Sequence, residues 1–186
     1  MIMIKKKITT CSFFAMAFLW GVSYGAEVSN VGGSVTIESI KNNIAKNGAN
    51  KTVELMYADH KEWGSILVNI ASGKSDWVKV ATLLYQGSDG GSAEMLVLSL
   101  GEALEHSPKT VFENTKSIIS LRNVCGSPDI DLDKYNSRVK AISAIKRRQN
   151  MVKKVKDGGL LSAKKECLGY LELAKKSVSD FFTSSE

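Results

Sequence analysis

Apolar positions recur along this chain at intervals of three and four, and no segment alternates cleanly at period two, so the pattern predicts helices throughout. A first short helix spans 35–47 and ends near Asn47-Gly48. A second covers 51–72, with Met56, Trp63, Leu67 and Ile70 on one stripe and Gly73 as its stop signal. Ser75 is the expected cap of a third, 76–85, which turns Trp77, Val80, Ala81 and Leu84 inward. After the turn Gly87-Ser88-Asp89-Gly90-Gly91, Ser92 is the expected cap of a fourth, 93–105, with Ala93, Leu96, Leu100 and Leu104 on one face. Ser107-Pro108 opens a fifth, because proline at the first helical position loses no hydrogen bond. That helix runs to about residue 121 and points Val111, Phe112, Thr115, Ile118 and Ile119 inward. A loop at 122–133 holds Cys125. A basic helix follows at 134–156, with Val139, Ile142, Ile145, Val152 and Val155 apolar, until Asp157-Gly158-Gly159 breaks it. The last, 160–179, aligns Cys167, Leu168, Leu171, Ala174 and Val178.

The expected fold is therefore all-α: one bundle of six or seven helices joined by short loops. Residues 75–121 form consecutive short helices with tight turns, which resembles the helical hairpins of HEAT repeats, although no second copy recurs at a fixed period.

The first 25 residues form a separate segment. Lys5, Lys6 and Lys7 precede a largely apolar run at 11–22, and Ser23 and Gly25 place small residues where a signal peptidase needs them. We expect a signal peptide at 1–25, a single domain at 26–186 and a periplasmic or secreted protein with no membrane span after cleavage. Cys11 opens the apolar run instead of ending it, so it is not placed as a lipid-attachment cysteine.

Charge is segregated. Residues 27–133 carry 9 basic and 14 acidic side chains, whereas 134–186 carry 13 and 5. The basic helix concentrates Arg138, Lys146, Arg147, Arg148, Lys153, Lys154 and Lys156, which suit an acidic partner or an anionic envelope surface. Nucleic acid is not expected, because the helix lacks aromatic residues for base stacking.

In an exported chain the two remaining cysteines, Cys125 and Cys167, are expected to form one disulfide; the rival is a catalytic thiol beside His60 or His106. Other chemistry finds little support. Ser72-Gly73-Lys74-Ser75 lacks the upstream glycine and the strand of a phosphate-binding loop, and reads as a helix stop followed by a cap. Asp129, Asp131 and Asp133 alternate like calcium ligands, but Lys134 and Lys140 stand where glycine and glutamate belong. His60 shares the stripe of Met56 and Trp63, so it is expected to be partly buried. No serine-hydrolase or zinc motif is present, nothing singles out a carboxylate pair, and no metal or cofactor is expected.

Residues 71–81 (Ala71-Ser72-Gly73-Lys74-Ser75-Asp76-Trp77-Val78-Lys79-Val80-Ala81), Gly87 to Glu94, Ala103 to Pro108 with Val111-Phe112, and Val124-Cys125-Gly126 resemble a group of exported, all-helical bacterial proteins of unknown function. The resemblance implies a fold and no activity. In size, export and helicity the chain is also similar to small disulfide-bearing immunity proteins. The expected function is binding without catalysis, as an inhibitor or immunity-type protein-interaction module or as an envelope-surface binder; an enzyme with scattered acids is the third reading.

Overall fold

A computed structural model describes residues 35–126 and 135–184. The expected signal peptide and the acids Asp129, Asp131 and Asp133 lie outside the described residues. Among the described residues there are nine α-helices, one 3-10 turn and no strand.

Local chemistry sets where each helix starts and stops. Helix α1, Ile37–Asn47, begins where Thr36 and Ser39 exchange hydrogen bonds: Ser39 N donates to Thr36 Oγ1 at 3.1 Å and Thr36 N to Ser39 Oγ at 3.2 Å. Gly48, at φ 79°, turns the chain into α2, Ala49–Ala58. The helix expected over 51–72 is in fact two. Asp59 leaves the helical region at φ −93°, ψ 94°, and its Oδ1 accepts from Lys61 N and Glu62 N, both at 3.0 Å. Helix α3, His60–Ala71, therefore restarts with a new phase: Trp63, Ile66 and Ile70 are buried, and His60 is exposed instead of sharing the Met56–Trp63 stripe.

Helix α4, Ser75–Tyr85, is preceded by Lys74, so Ser75 lies inside its first turn and does not cap it. Helix α5, Gly90–Ala103, begins at Asp89, earlier than expected; Ser92 sits in its first turn, accepting from Asp89 N at 3.1 Å and donating to Asp89 O at 2.8 Å. Helix α6, Pro108–Thr115, is shorter than expected. Turn-type bonds from Ile118 N and Ile119 N to Thr115 O follow its end, which leaves Ile118 exposed and Ile119 buried. The chain then re-enters a helix, α7, Leu121–Gly126, so Cys125 lies on a short helix, not in a loop. Helix α8, Arg138–Lys153, is capped by Ser137, and α9, Leu161–Ser184, extends past its expected end; the 3-10 turn Gly158–Leu160 separates them.

Helices two apart in sequence pack together. One row is α2, α4, α6, α8 and the other is α3, α5, α7, α9, with α1 laid on α2 and α4. This is the two-row stacking of helical hairpins, in which each helix buries apolar surface against its own row and the other. The central helix α5 is consequently buried almost all round, at Leu96, Val97, Ser99, Leu100, Gly101 and Ala103. Two glycines permit close approach. A Cβ on Gly87 would collide with the backbone of Ala49 and Asn50, and a Cβ on Gly73, already at φ 72°, would press on His106, Ser107 and Ala103.

Cys125 on α7 and Cys167 on α9 form a disulfide with a Cα–Cα distance of 5.4 Å, and both are buried. The loop it closes spans 42 positions and contains all of α8.

Candidate functional site

Helix α8 has two faces at helical spacing. Ala141, Ala144, Ile145, Arg148, Gln149 and Val152 are buried against the body. On the opposite side Val139, Lys146, Asn150 and Lys153 are exposed, with Ser143 half-buried between them. The exposed side is strongly cationic, and Lys154 and Lys156 continue it beyond the helix.

The seven cations singled out from the sequence do not act alike. Arg148 is 2% exposed and belongs to the core, which removes it from any contact surface. Its spacing explains this: it lies three residues after Ile145 and four before Val152, on the buried stripe. Its Nε stands 3.6 Å from Glu105 Oε1, and its guanidinium lies over the Tyr135 ring at 5.9 Å. Arg147 turns to the same carboxylate, donating from Nε to Glu105 Oε2 at 2.6 Å and from Nη2 to Oε1 at 3.4 Å. Glu105, just past the end of α5, thus holds two guanidinium groups and ties α8 to the central helix. Lys154 bonds Met151 Sδ at 3.4 Å. Among the described residues Arg138, Lys146 and Lys156 form no ion pair and are exposed.

The end of this face is rigidly built. Lys164 on α9 donates to the carbonyls of Lys153 at 2.6 Å and Val155 at 2.8 Å, satisfying acceptors at the α8 C-terminus. Asp157 accepts from Gly159 N at 3.0 Å and pairs with Lys109 of α6 at 3.0 Å. The hydrogen bond from Lys109, then that from Gly159, holds the Asp157 carboxyl below the ordinary aspartate range; Asp157 in turn raises the Lys109 ammonium above its usual value. Glu172 on α9 is likewise lowered, first by Lys175 and to a smaller extent by Gln149 and Lys153 of α8.

The rival thiol site is contradicted: both cysteines are consumed in a buried disulfide, and His60 and His106 are exposed. Gly73 stops α3, its N–H bonded to Ile70 O at 3.0 Å, so the stop half of the reading of Ser72-Gly73-Lys74-Ser75 holds, whereas the cap half does not, since Ser75 lies inside α4. Among the described residues no three histidine, cysteine or acidic side chains gather as metal ligands, and no helix is long and apolar enough to cross a membrane.

One cleft escaped sequence reasoning. It has a volume of about 340 Å³ and lies between α2 and the α4–α5 turn, lined by Asn50, Val53, Glu54, Tyr57, Asp89 and Ser92 among others. Glu54 is engaged by Lys51 at 2.7 Å, the Ser92 hydroxyl is bonded to Asp89, and Tyr57 stacks edge-on against Trp63 at 5.6 Å. These side chains serve the local architecture and bring no nucleophile against a base. The signal for the cleft was Gly87, whose missing side chain lets the turn lie against α2.

Compared with protein families, curated proteins and solved structures, the chain matches none.

Proposed function

We propose that this is an exported, non-catalytic binding protein whose contact surface is the outer face of α8 and the turn after it, and whose partner is an acidic protein, as for an inhibitor or immunity-type module. The observation that carries the reading is the separation of roles along α8 and the turn after it: Arg147 and Arg148 are drawn onto Glu105 as structure, while Arg138, Lys146 and Lys153 of the helix and Lys156 of the turn stand in solvent next to a helix end held by Lys164. Exposed cations held on a rigid scaffold speed encounter with an acidic surface and select against basic ones. Export is supported by the leader-like segment 1–25 and agrees with the disulfide.

Capture from a bacterial envelope extract tests the reading. The wild-type protein is expected to retain one acidic protein in stoichiometric amount, and Lys146→Glu/Lys153→Glu/Lys156→Glu to lose it. Retention unchanged by the three reversals would reject α8 as the contact surface. Flotation with anionic vesicles at two salt concentrations addresses the envelope-surface reading, which the same exposed lysines favour; salt-sensitive flotation with no protein captured would replace the acidic protein by a lipid surface.

A further inference from the structure

Outward-facing residues on α8 follow a definite spacing. Val139, Ser143, Lys146, Asn150 and Lys153 succeed one another at intervals of four, three, four and three. Such residues form one nearly straight stripe, because seven residues advance about 10.5 Å and drift only about 20° around the axis. The stripe is about 21 Å long by the same rise per residue. It places Lys146 and Lys153 about two turns apart, with Asn150 between them and the 76% exposed Val139 at its N-terminal end. Residues so spaced share one face of α8, and a second helix lying along that face meets them in turn. Here its charged members are lysines; among the described residues neither Lys146 nor Lys153 forms a salt bridge, although Lys153 acts at longer range on Glu172 of α9.

We infer that this stripe docks an acidic α-helix of the partner, lying along α8 with its own carboxylates at intervals of three and four. The inference rests on the reading of α8 as the contact surface and adds the shape of what it receives. Charge complementarity sets the sign of the partner. The fixed repeat sets its form, since a helix bearing acids at the same interval meets both lysines at once, whereas acids spread around its circumference meet one at a time. The partner helix also covers Val139, and the amide of Asn150 supplies a hydrogen-bonding group midway. A fluid lipid surface needs no such register, and the stripe offers it no large apolar side chain for insertion.

Two alanine-based helical peptides of identical composition make the test, one with its glutamates confined to a four-three stripe and the other with them distributed around the helix. Binding is read by fluorescence anisotropy at low ionic strength against the full protein. The striped peptide is expected to bind at least fivefold more tightly. Lys146→Glu/Lys153→Glu should abolish that preference, and Lys79→Glu on α4 should leave it intact. Circular dichroism confirms that each variant is folded. Equal binding of the two peptides overturns the inference but leaves α8 as a cationic contact surface. Binding of neither, or binding unaffected by Lys146→Glu/Lys153→Glu, overturns both. Association with phosphatidylglycerol vesicles but with neither peptide assigns the face to lipid and also overturns the inference.

Discussion

Removing the Cys125–Cys167 bridge tests how the C-terminal half is held. The closed loop spans 42 positions. In the chain-entropy treatment such a loop restricts the unfolded chain by about 13 cal/mol/K, or about 4 kcal/mol at 25 °C. At about 2–4 °C per kcal/mol for a domain of this size, the melting temperature falls by about 8–16 °C. The effect is not confined to the two sulfur positions, because all of α8 lies within the loop and α9 is the neighbour of both α7 and α8. Urea unfolding followed at 222 nm compares oxidised wild type, reduced wild type and Cys125→Ala/Cys167→Ala. Reduced wild type separates loss of the cross-link from loss of the buried sulfurs. The reasoning predicts a drop of about 4 kcal/mol in the reduced protein and slightly more in the alanine pair. A difference below about 1 kcal/mol between oxidised and reduced protein would show that helix packing alone holds the loop, and the entropic argument would be refuted.

Three further outcomes follow from the geometry. Gly87→Ala should destabilise by at least about 2 kcal/mol, because its Cβ meets the α2 backbone and no flexible side chain can yield; a wild-type urea midpoint would contradict this. Glu105→Gln should destabilise more than Arg147→Ala, because it removes a carboxylate charge 3.6 Å from the buried Arg148, whereas Arg147→Ala, at a half-exposed side chain, should cost under about 1 kcal/mol; equal losses in urea unfolding would contradict the different roles given to the two arginines. The Asp157 carboxyl, followed by carbon-detected NMR, should titrate below the ordinary aspartate range and return towards it in Lys109→Ala. A lowered folded pKa means that the pair's stabilisation is present above the unfolded aspartate pKa and is lost as pH falls through the folded value; an unmoved titration in the variant would remove Lys109 as the cause.

Much of the fold was legible because its helices are amphipathic and separated by glycine or a capping residue. Of the expected stripe, Cys167, Leu171, Ala174 and Val178 are buried and Leu168 is half-buried, and the disulfide was readable from the two cysteines left in a chain expected to be exported. What was missed has local causes. Asp59 with Glu62 three residues later is a helix-start signal, but an unbroken apolar stripe on either side masked it, and with it the exposure of His60. The end of α6 at Thr115 interrupts an apolar series that continues through Ile118 and Ile119, so Ile118 was placed inside. Val139 fits the apolar count of α8 yet lies on its outer side, whereas Arg148 fits the cationic count yet lies on its inner side. Charge type and facing are different properties, and only the three-and-four spacing from Ile145 and Val152 separated them. The partner of Arg148 at Glu105 comes from packing between helices far apart in sequence, which no local pattern encodes. Hairpin stacking was expected only at 75–121, and its extension from α2 to α9 was hidden because the rows repeat in space without repeating in sequence.

A photo-crosslinking amino acid placed at position 146 on α8, and separately at position 61 on the distant α3, examines the surface in intact cells. One discrete protein adduct at 146 and none at 61 is the expected result. An adduct at 61 alone, or the same mixture of products from both positions, would contradict the assignment of α8 as the face by which this protein acts.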